Sequence, residues 1–177
     1  SSDDGIYVLI KEVIDNSIDE FRMNEGNKIE ITIKDRTVSI RDYGRGIPQG
    51  KMIDAVSKLN TGGKYDSNAF QRSIGLNGVG IKAVNALSSS FIVKSYRDGI
   101  LKQADFVRGK LVKEYPQTPT EEKNGTYIQF TPDTEKQHPQ ETLFDPNFNF
   151  NDEIIETMLR NYSYLNTGLT IIYNGRK

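Results

Sequence analysis

The chain of 177 residues is 36% hydrophobic, carries 23 basic and 24 acidic residues for a net charge of −1, and contains no cysteine. That composition describes one soluble globular domain with apolar residues enough for a sizeable core; it excludes disulfides, thiolate metal sites and an overall basic grip on nucleic acid. No apolar run approaches the roughly 18 residues that cross a bilayer, so a cytoplasmic protein with no membrane partner is expected.

In chain order, Ile6, Leu9, Ile10, Val13, Ile14, Ile18 and Phe21 recur at intervals of three and four, which predicts a helix from about Asp4 to about Met23, capped by Asp3 or Asp4. The runs "KIEITI" and "TVSIRD" alternate apolar and polar residues around Lys34-Asp35-Arg36 and read as a β-hairpin. "MIDAVSKL" reads as a short amphipathic helix. The Gly-, Asn- and Ser-rich stretch from Asn60 to Gly80 is long for a connection inside a compact domain, and a third helix starts directly after it at "VGIKAVNALS". "SFIVKSYR", "ILKQADFVRG", "KLVKEYP" and "GTYIQFTP" read as successive antiparallel strands, with Asp98-Gly99 as a tight turn. Pro132 to Asn151 reads as an irregular excursion, and its sole histidine, His138, receives no role. A last helix, "DEIIETMLRNYSYLN", leads into a last strand, "LTIIYN". Strands grouped in the second half with helices before and after predict an α+β two-layer sandwich with a mainly antiparallel sheet.

Three segments point to phosphate and nucleotide chemistry. "DYGRGIP", Asp42 to Pro48, sets a carboxylate at a strand end before a Gly-rich turn. "NTGGKY", Asn60 to Tyr65, and "GLNGVGIKAVNALS", Gly75 to Ser88, hold glycines that expose backbone N–H groups, the second feeding a helix start. Each alone has the plain explanation of a tight loop. On the first helix Glu12, Asn16 and Glu20 are successive i, i+4 neighbours, so one stripe presents carboxylate and carboxamide together; a solvated polar face would explain that stripe taken by itself.

The order E-x-x-x-N, D-x-G-x-G-I-P, G-G-K-Y, then "GLNGVGIKAVNALS" and a Gly-Thr before a strand resembles the GHKL ATPase family with its Bergerat fold, and over nearly the whole chain it is most similar to the ATPase domain of the B subunit of bacterial type IIA topoisomerases, DNA gyrase and topoisomerase IV. The resemblance implies ATP and Mg²⁺ as ligands. Glu12 would be the general base that deprotonates the attacking water, and the Asn16 side-chain oxygen would ligate Mg²⁺ without adding charge beside three phosphates. Asp42 would read the exocyclic amine of adenine, with the Thr126 hydroxyl supporting it. Gly44 and Gly46 would let the chain pass close to the ligand, Ile47 and Pro48 would wall the base pocket, and Arg45 would pair with Glu20 at its mouth. Lys64, beside Gly62 and Gly63, and the segment Gly75, Leu76, Asn77, Gly78, Val79 and Gly80 would cover the phosphates as a lid. Arg97 aligns with an arginine at the pocket edge that meets ATP-competitive inhibitors of the aminocoumarin kind; a solvated strand arginine is the rival account. Val13, Ile40, Val56, Ile81, Val93 and Ile128 would form the apolar floor.

Two positions depart from the family pattern, Tyr43 in place of a second acid and Asn77 in place of a histidine, and neither removes a group assigned to chemistry. The segment after Pro48 is shorter than in many gyrases and inclines toward topoisomerase IV, though this stretch does not separate the two. The start at Ser1-Ser2-Asp3-Asp4 without Met, and the stop just after a strand-like run, read as an N-terminal ATPase domain cut from a longer subunit, whose other domains would work with an A subunit and DNA. Such a piece is expected to be a monomer that binds Mg-ATP and hydrolyses it slowly. The alternatives are a sensor histidine kinase domain and a catalytically silent nucleotide-binding switch.

Overall fold

Residues 2–57, 80–138, 141–142 and 144–176 are described by the computed structural model of the chain. Helix α1 covers Ser2–Arg22, and its stripe of Ile6, Leu9, Ile10, Val13, Ile14 and Ile18 is nowhere more than 3% exposed. The 3.6-residue apolar period is thus the buried face of the helix, and the polar stripe from Glu12 to Glu20 runs beside it. Strands β1 (Lys28–Lys34) and β2 (Thr37–Asp42) form the expected hairpin, with Asp35 taking the left-handed φ of +56° that aspartate tolerates in turns. A single 3₁₀ turn at Gln49–Lys51 precedes α2 (Met52–Ser57), and α3 spans Gly80–Ala86.

The second half supplies β3 (Ser88–Arg97), β4 (Ile100–Val107), β5 (Lys110–Glu114), a two-residue β6 (Thr118–Pro119) and β7 (Gly125–Pro132). Asp98-Gly99 and Arg108-Gly109 both carry positive φ at each residue, the mirror-image turn whose twist suits a two-residue hairpin. Two further short strands, β8 (Lys136–His138) and β9 (Glu141–Thr142), pair with each other, so the stretch expected to be irregular holds a small hairpin. Helix α4 (Asp152–Leu165) begins at Asn151, whose side chain accepts from the backbone N–H groups of Glu153 and Ile154, and strand β10 (Thr170–Tyr173) closes the fold.

Among the described residues the main sheet runs β10-β1-β2-β7-β3-β4-β5, with β6 also on β4. All its pairings are antiparallel except β10 with β1. The register lines up residues across the sheet in rows. Val38, Phe130, Phe91 and Phe106 form one row, and Ile31, Ile40, Ile128, Val93 and Ala104 form the next. Both rows are buried with apolar residues of all four helices in one continuous core, as a two-layer sandwich requires. Each large aliphatic or aromatic side chain so buried contributes about 2 kcal/mol by removal from water. At the next row the chemistry changes: Asp42, Thr126 and Ser95, all buried, make one end of the same sheet face polar.

Candidate functional site

Asp42 ends β2 and is 4% exposed. Its Oδ1 accepts from the backbone N–H of Gly44 at 3.0 Å and of Thr126 at 3.1 Å, and its Oδ2 accepts from the Ser17 hydroxyl at 3.1 Å. Burial pushes the carboxyl above its usual range, the three donors pull the other way, and the charge of Glu20 adds to the rise. Thr126 therefore reaches Asp42 through its main chain and not through the hydroxyl expected from the sequence, because the β2–β7 register points the strand amide at the carboxylate. Ser17 was missed from the sequence. The signal is its position: a small polar residue, 4% exposed, on the buried side of α1 where the period calls for an apolar one.

The turn after Asp42 is fastened to β3 and to the start of β4 by three side chains. The Ser95 hydroxyl donates to the Ile47 carbonyl at 2.5 Å, the Arg97 guanidinium donates to the Gly46 carbonyl at 2.8 Å, and the Gln49 amide donates to the Ser95 and Ile100 carbonyls at 3.0 and 2.9 Å. Gly46 has a φ of +82°, and a Cβ there would stand 2.6 Å from the Tyr96 carbonyl oxygen, so both conformation and space require glycine. Arg45 pairs with Glu20 at 3.1 Å, as expected.

Behind Asp42, on the opposite face of the sheet, Arg41 is 8% exposed and lies between the rings of Tyr43 and Tyr96, 4.2 and 4.5 Å from their centroids. Its guanidinium donates to the carbonyl of Lys123 at 2.5 Å and to that of Asp42. Tyr43, the residue that departs from the family pattern, is occupied here: its hydroxyl donates to Glu30 at 2.6 Å and its ring also takes Lys28 at 4.4 Å. Burial and Glu30 together push the Tyr43 phenol up to about 12.

Two cavities open on this framework. One of about 370 Å³ is lined by Asp42, Thr126, Arg45, Gly46, Pro48 and Arg97, together with Glu20 and Met23. The other, of about 710 Å³, is lined by Glu12, Asp15, Gly80, Ile81, Lys82 and Tyr162 among others. Both are lined by Asn16, Asp19 and Ile47, so they adjoin along α1. Glu12 Oε2 lies against the start of α3 so closely that a Cβ on Gly80 would overlap it. Burial raises the Glu12 carboxyl above 4.5, the neighbouring Asp15 charge raises it further, and Lys11 offsets part of the rise.

The structure thus brings together Glu12, Asn16, Glu20, Asp42, Arg45, Gly46, Ile47, Pro48, Gly80, Arg97 and Thr126. Lys64, Gly75, Leu76, Asn77, Gly78 and Val79 lie outside the described residues. Of the six floor residues, all buried, Val56 and Ile81 line the larger cavity, while Val13, Ile40, Val93 and Ile128 belong to the core beneath. Lys82 and Tyr162 are additional lining residues that the motifs did not single out.

A family profile described as histidine kinase-, DNA gyrase B-, and HSP90-like ATPase matches residues 1–136. The chain is 51% identical over 172 residues to the B subunit of DNA topoisomerase 4 from Borreliella burgdorferi, covering 97% of this chain and 27% of that protein. It is 35% identical over 184 residues to the B subunit of DNA gyrase from Chlamydia muridarum, covering 96% of this chain and 22% of the relative. Among solved structures, the 43K ATPase domain of Thermus thermophilus gyrase B in complex with an aminocoumarin superposes with a TM-score of 0.70 at 28% identity, over 94% of this chain and 43% of that one.

Proposed function

From the premise that this chain belongs to the histidine kinase-, DNA gyrase B- and HSP90-like ATPase family, we propose that it is the ATP-binding and hydrolysing domain of the B subunit of a bacterial type II topoisomerase. The observation that carries the reading is the pair of adjoining cavities, one ending on the buried Asp42 carboxylate and the other on Glu12, with Asn16 on the wall of both.

Adenine enters the smaller cavity and donates its exocyclic amine to Asp42. Guanine presents a carbonyl at that position and meets an acceptor instead, so the choice of base follows from hydrogen-bond polarity. Ser17, Gly44 and Thr126 hold the carboxylate, and the turn tied down by Ser95, Arg97 and Gln49 shapes the wall around the base. The phosphates then extend past Asn16 into the larger cavity toward Gly80. Glu12 takes a proton from the water that attacks the γ-phosphorus as the bond to the bridging oxygen of ADP breaks, and burial, by holding its carboxyl above the ordinary value, makes it a stronger base than an exposed glutamate.

The donor set fits Mg²⁺. Asn16 is exposed on the cavity wall, and no cluster of three or more His, Cys, Asp or Glu side chains able to hold a metal by themselves occurs among the described residues, as suits an ion bound mostly through phosphate oxygens and water. When bound, the ion would neutralise charge on the transferring phosphoryl group.

The chain spans 27% and 22% of the two relatives above, so gate closure, strand passage, an A subunit, DNA and a cytoplasmic setting are proposed for the whole protein. The 51% identity to a topoisomerase 4 relative, against 35% to a gyrase relative, supports the topoisomerase IV side. The histidine kinase and silent-switch alternatives find no support in these likenesses. Calorimetric titration of the chain with ATP and GTP tests the first half of the reading, and phosphate release by the full-length protein tests the second. Equal affinity for the two bases, or no turnover by the intact protein, would overturn it.

A further inference from the structure

The C-terminal turn of α4 has no part in the function proposed above, yet it stands in the wall of the larger cavity. Tyr162, Leu165 and Asn166 line it together with Glu12, Asp15, Asn16 and Arg22 of α1. Two side-chain links join the helices there. The Tyr162 hydroxyl donates to Asp15 Oδ1 at 2.8 Å, and Arg22 Nε donates to Asn166 Oδ1 at 3.2 Å. The buried Asn166 amide also donates to the Tyr162 carbonyl at 2.8 Å, which makes the two links one unit.

Asp15 lies three residues from Glu12, on a neighbouring position of the helix surface. A carboxylate there that was free to rotate would compete with Glu12 for the water and with the phosphates for cations. We propose that Tyr162 is a positioning residue of the hydrolytic site: its hydroxyl draws Asp15 to the α4 side of the cavity, so that like-charge repulsion keeps the Glu12 carboxylate turned toward Gly80, where the attacking water would stand. Burial raises the Glu12 carboxyl and the adjacent Asp15 charge adds to the rise, in keeping with their neighbouring positions on α1. Burial and Asp15 likewise push the Tyr162 phenol up, so the hydroxyl stays protonated and remains a donor at any pH at which the protein works. The inference rests on the ATPase reading above.

The test uses the full-length protein and four variants: Tyr162→Phe, Asp15→Asn, the two combined, and Glu12→Gln. Tyr162→Phe keeps the ring and loses only the donor; it is expected to lower kcat roughly five-fold while KM and affinity for a non-hydrolysable ATP analogue stay within about two-fold. The combined variant is expected to be no slower than Asp15→Asn, because asparagine still accepts the hydroxyl but carries no charge, which leaves Tyr162 no like charge to position. Unchanged kcat in Tyr162→Phe, multiplying losses in the combined variant, or a loss accompanied by a lowered melting midpoint would show a tie between helices and nothing more. Turnover near wild type in Glu12→Gln would instead remove the base, and this inference with it.

Discussion

At the scale of single residues, the site contains two carboxylates made unlike each other by their surroundings. Asp42 is buried among three donors, which offset part of the cost of its burial and aim it as an acceptor. Asp42→Asn keeps the size and supplies a donor where the adenine amine also donates; the mismatch should weaken ATP binding by about 2 kcal/mol, on the order of 30-fold, in a calorimetric titration. Glu12 has fewer restraints and a raised carboxyl, which has two consequences of opposite sign. Turnover in the full-length protein should have an acid limb above the ordinary value of 4.5, because the base must be ionised to accept a proton. Stability should respond in the other direction. A carboxyl whose folded pKa lies above its unfolded one favours the fold below the unfolded value, and that contribution is lost as pH rises through the folded value. Glu12→Gln should therefore melt above the wild type at pH 7, with the difference closing as the solution is acidified toward 4.5. A thermal melt series across that interval checks the sign.

At the scale of elements, the base-reading end of the site is built by register. Ser95, Thr126 and Asp42 meet because β3, β7 and β2 are neighbours, and Arg41 clamps the β2 end to the Lys123 carbonyl just before β7 begins. Arg41→Ala would leave carbonyls of Asp42 and Lys123 without their buried donor and remove the filling between Tyr43 and Tyr96; the melting midpoint of the chain should fall, and ATP affinity should fall with it as the Thr126 amide loses its aim. Retained affinity in a folded Arg41→Ala chain would show that Thr126 is placed by its strand alone. Such relations explain what the sequence made legible and what it did not. Glu12, Asn16 and Glu20 were legible because helix periodicity is local, and the Glu20 to Arg45 pair was legible through the family resemblance. Ser17, the Thr126 amide and the clamp of Arg41 depend on which strands and helices become neighbours across 25 to 84 residues of sequence, information that no local period carries. The β8–β9 hairpin was hidden for another reason: two- and three-residue strands are too short to show alternation.

At the scale of the whole molecule, the division of the site between two cavities sets what each half can do separately. The smaller one is walled by the polar end of the sheet and by a turn with three fastenings, whereas the larger one lies between α1, α3 and the last turn of α4; the exposed Asn16 stands on the wall of both. Base recognition then belongs to a part of the fold already formed before the ligand arrives, and little of the binding energy is needed to order it. Adenosine, which has no phosphates, should bind the chain measurably, and Asp42→Asn should weaken adenosine, ADP and ATP by a similar factor. Glu12→Gln should leave all three affinities nearly unchanged while phosphate release by the full-length protein drops roughly a hundredfold or more, since the change removes an interaction made in the transition state and none made with the base. The two variants should therefore fail in different assays, one in titration and the other in turnover. If Asp42→Asn spared adenosine and weakened only ATP, the carboxylate would be acting on the phosphate side and the assignment of the two cavities would have to be exchanged.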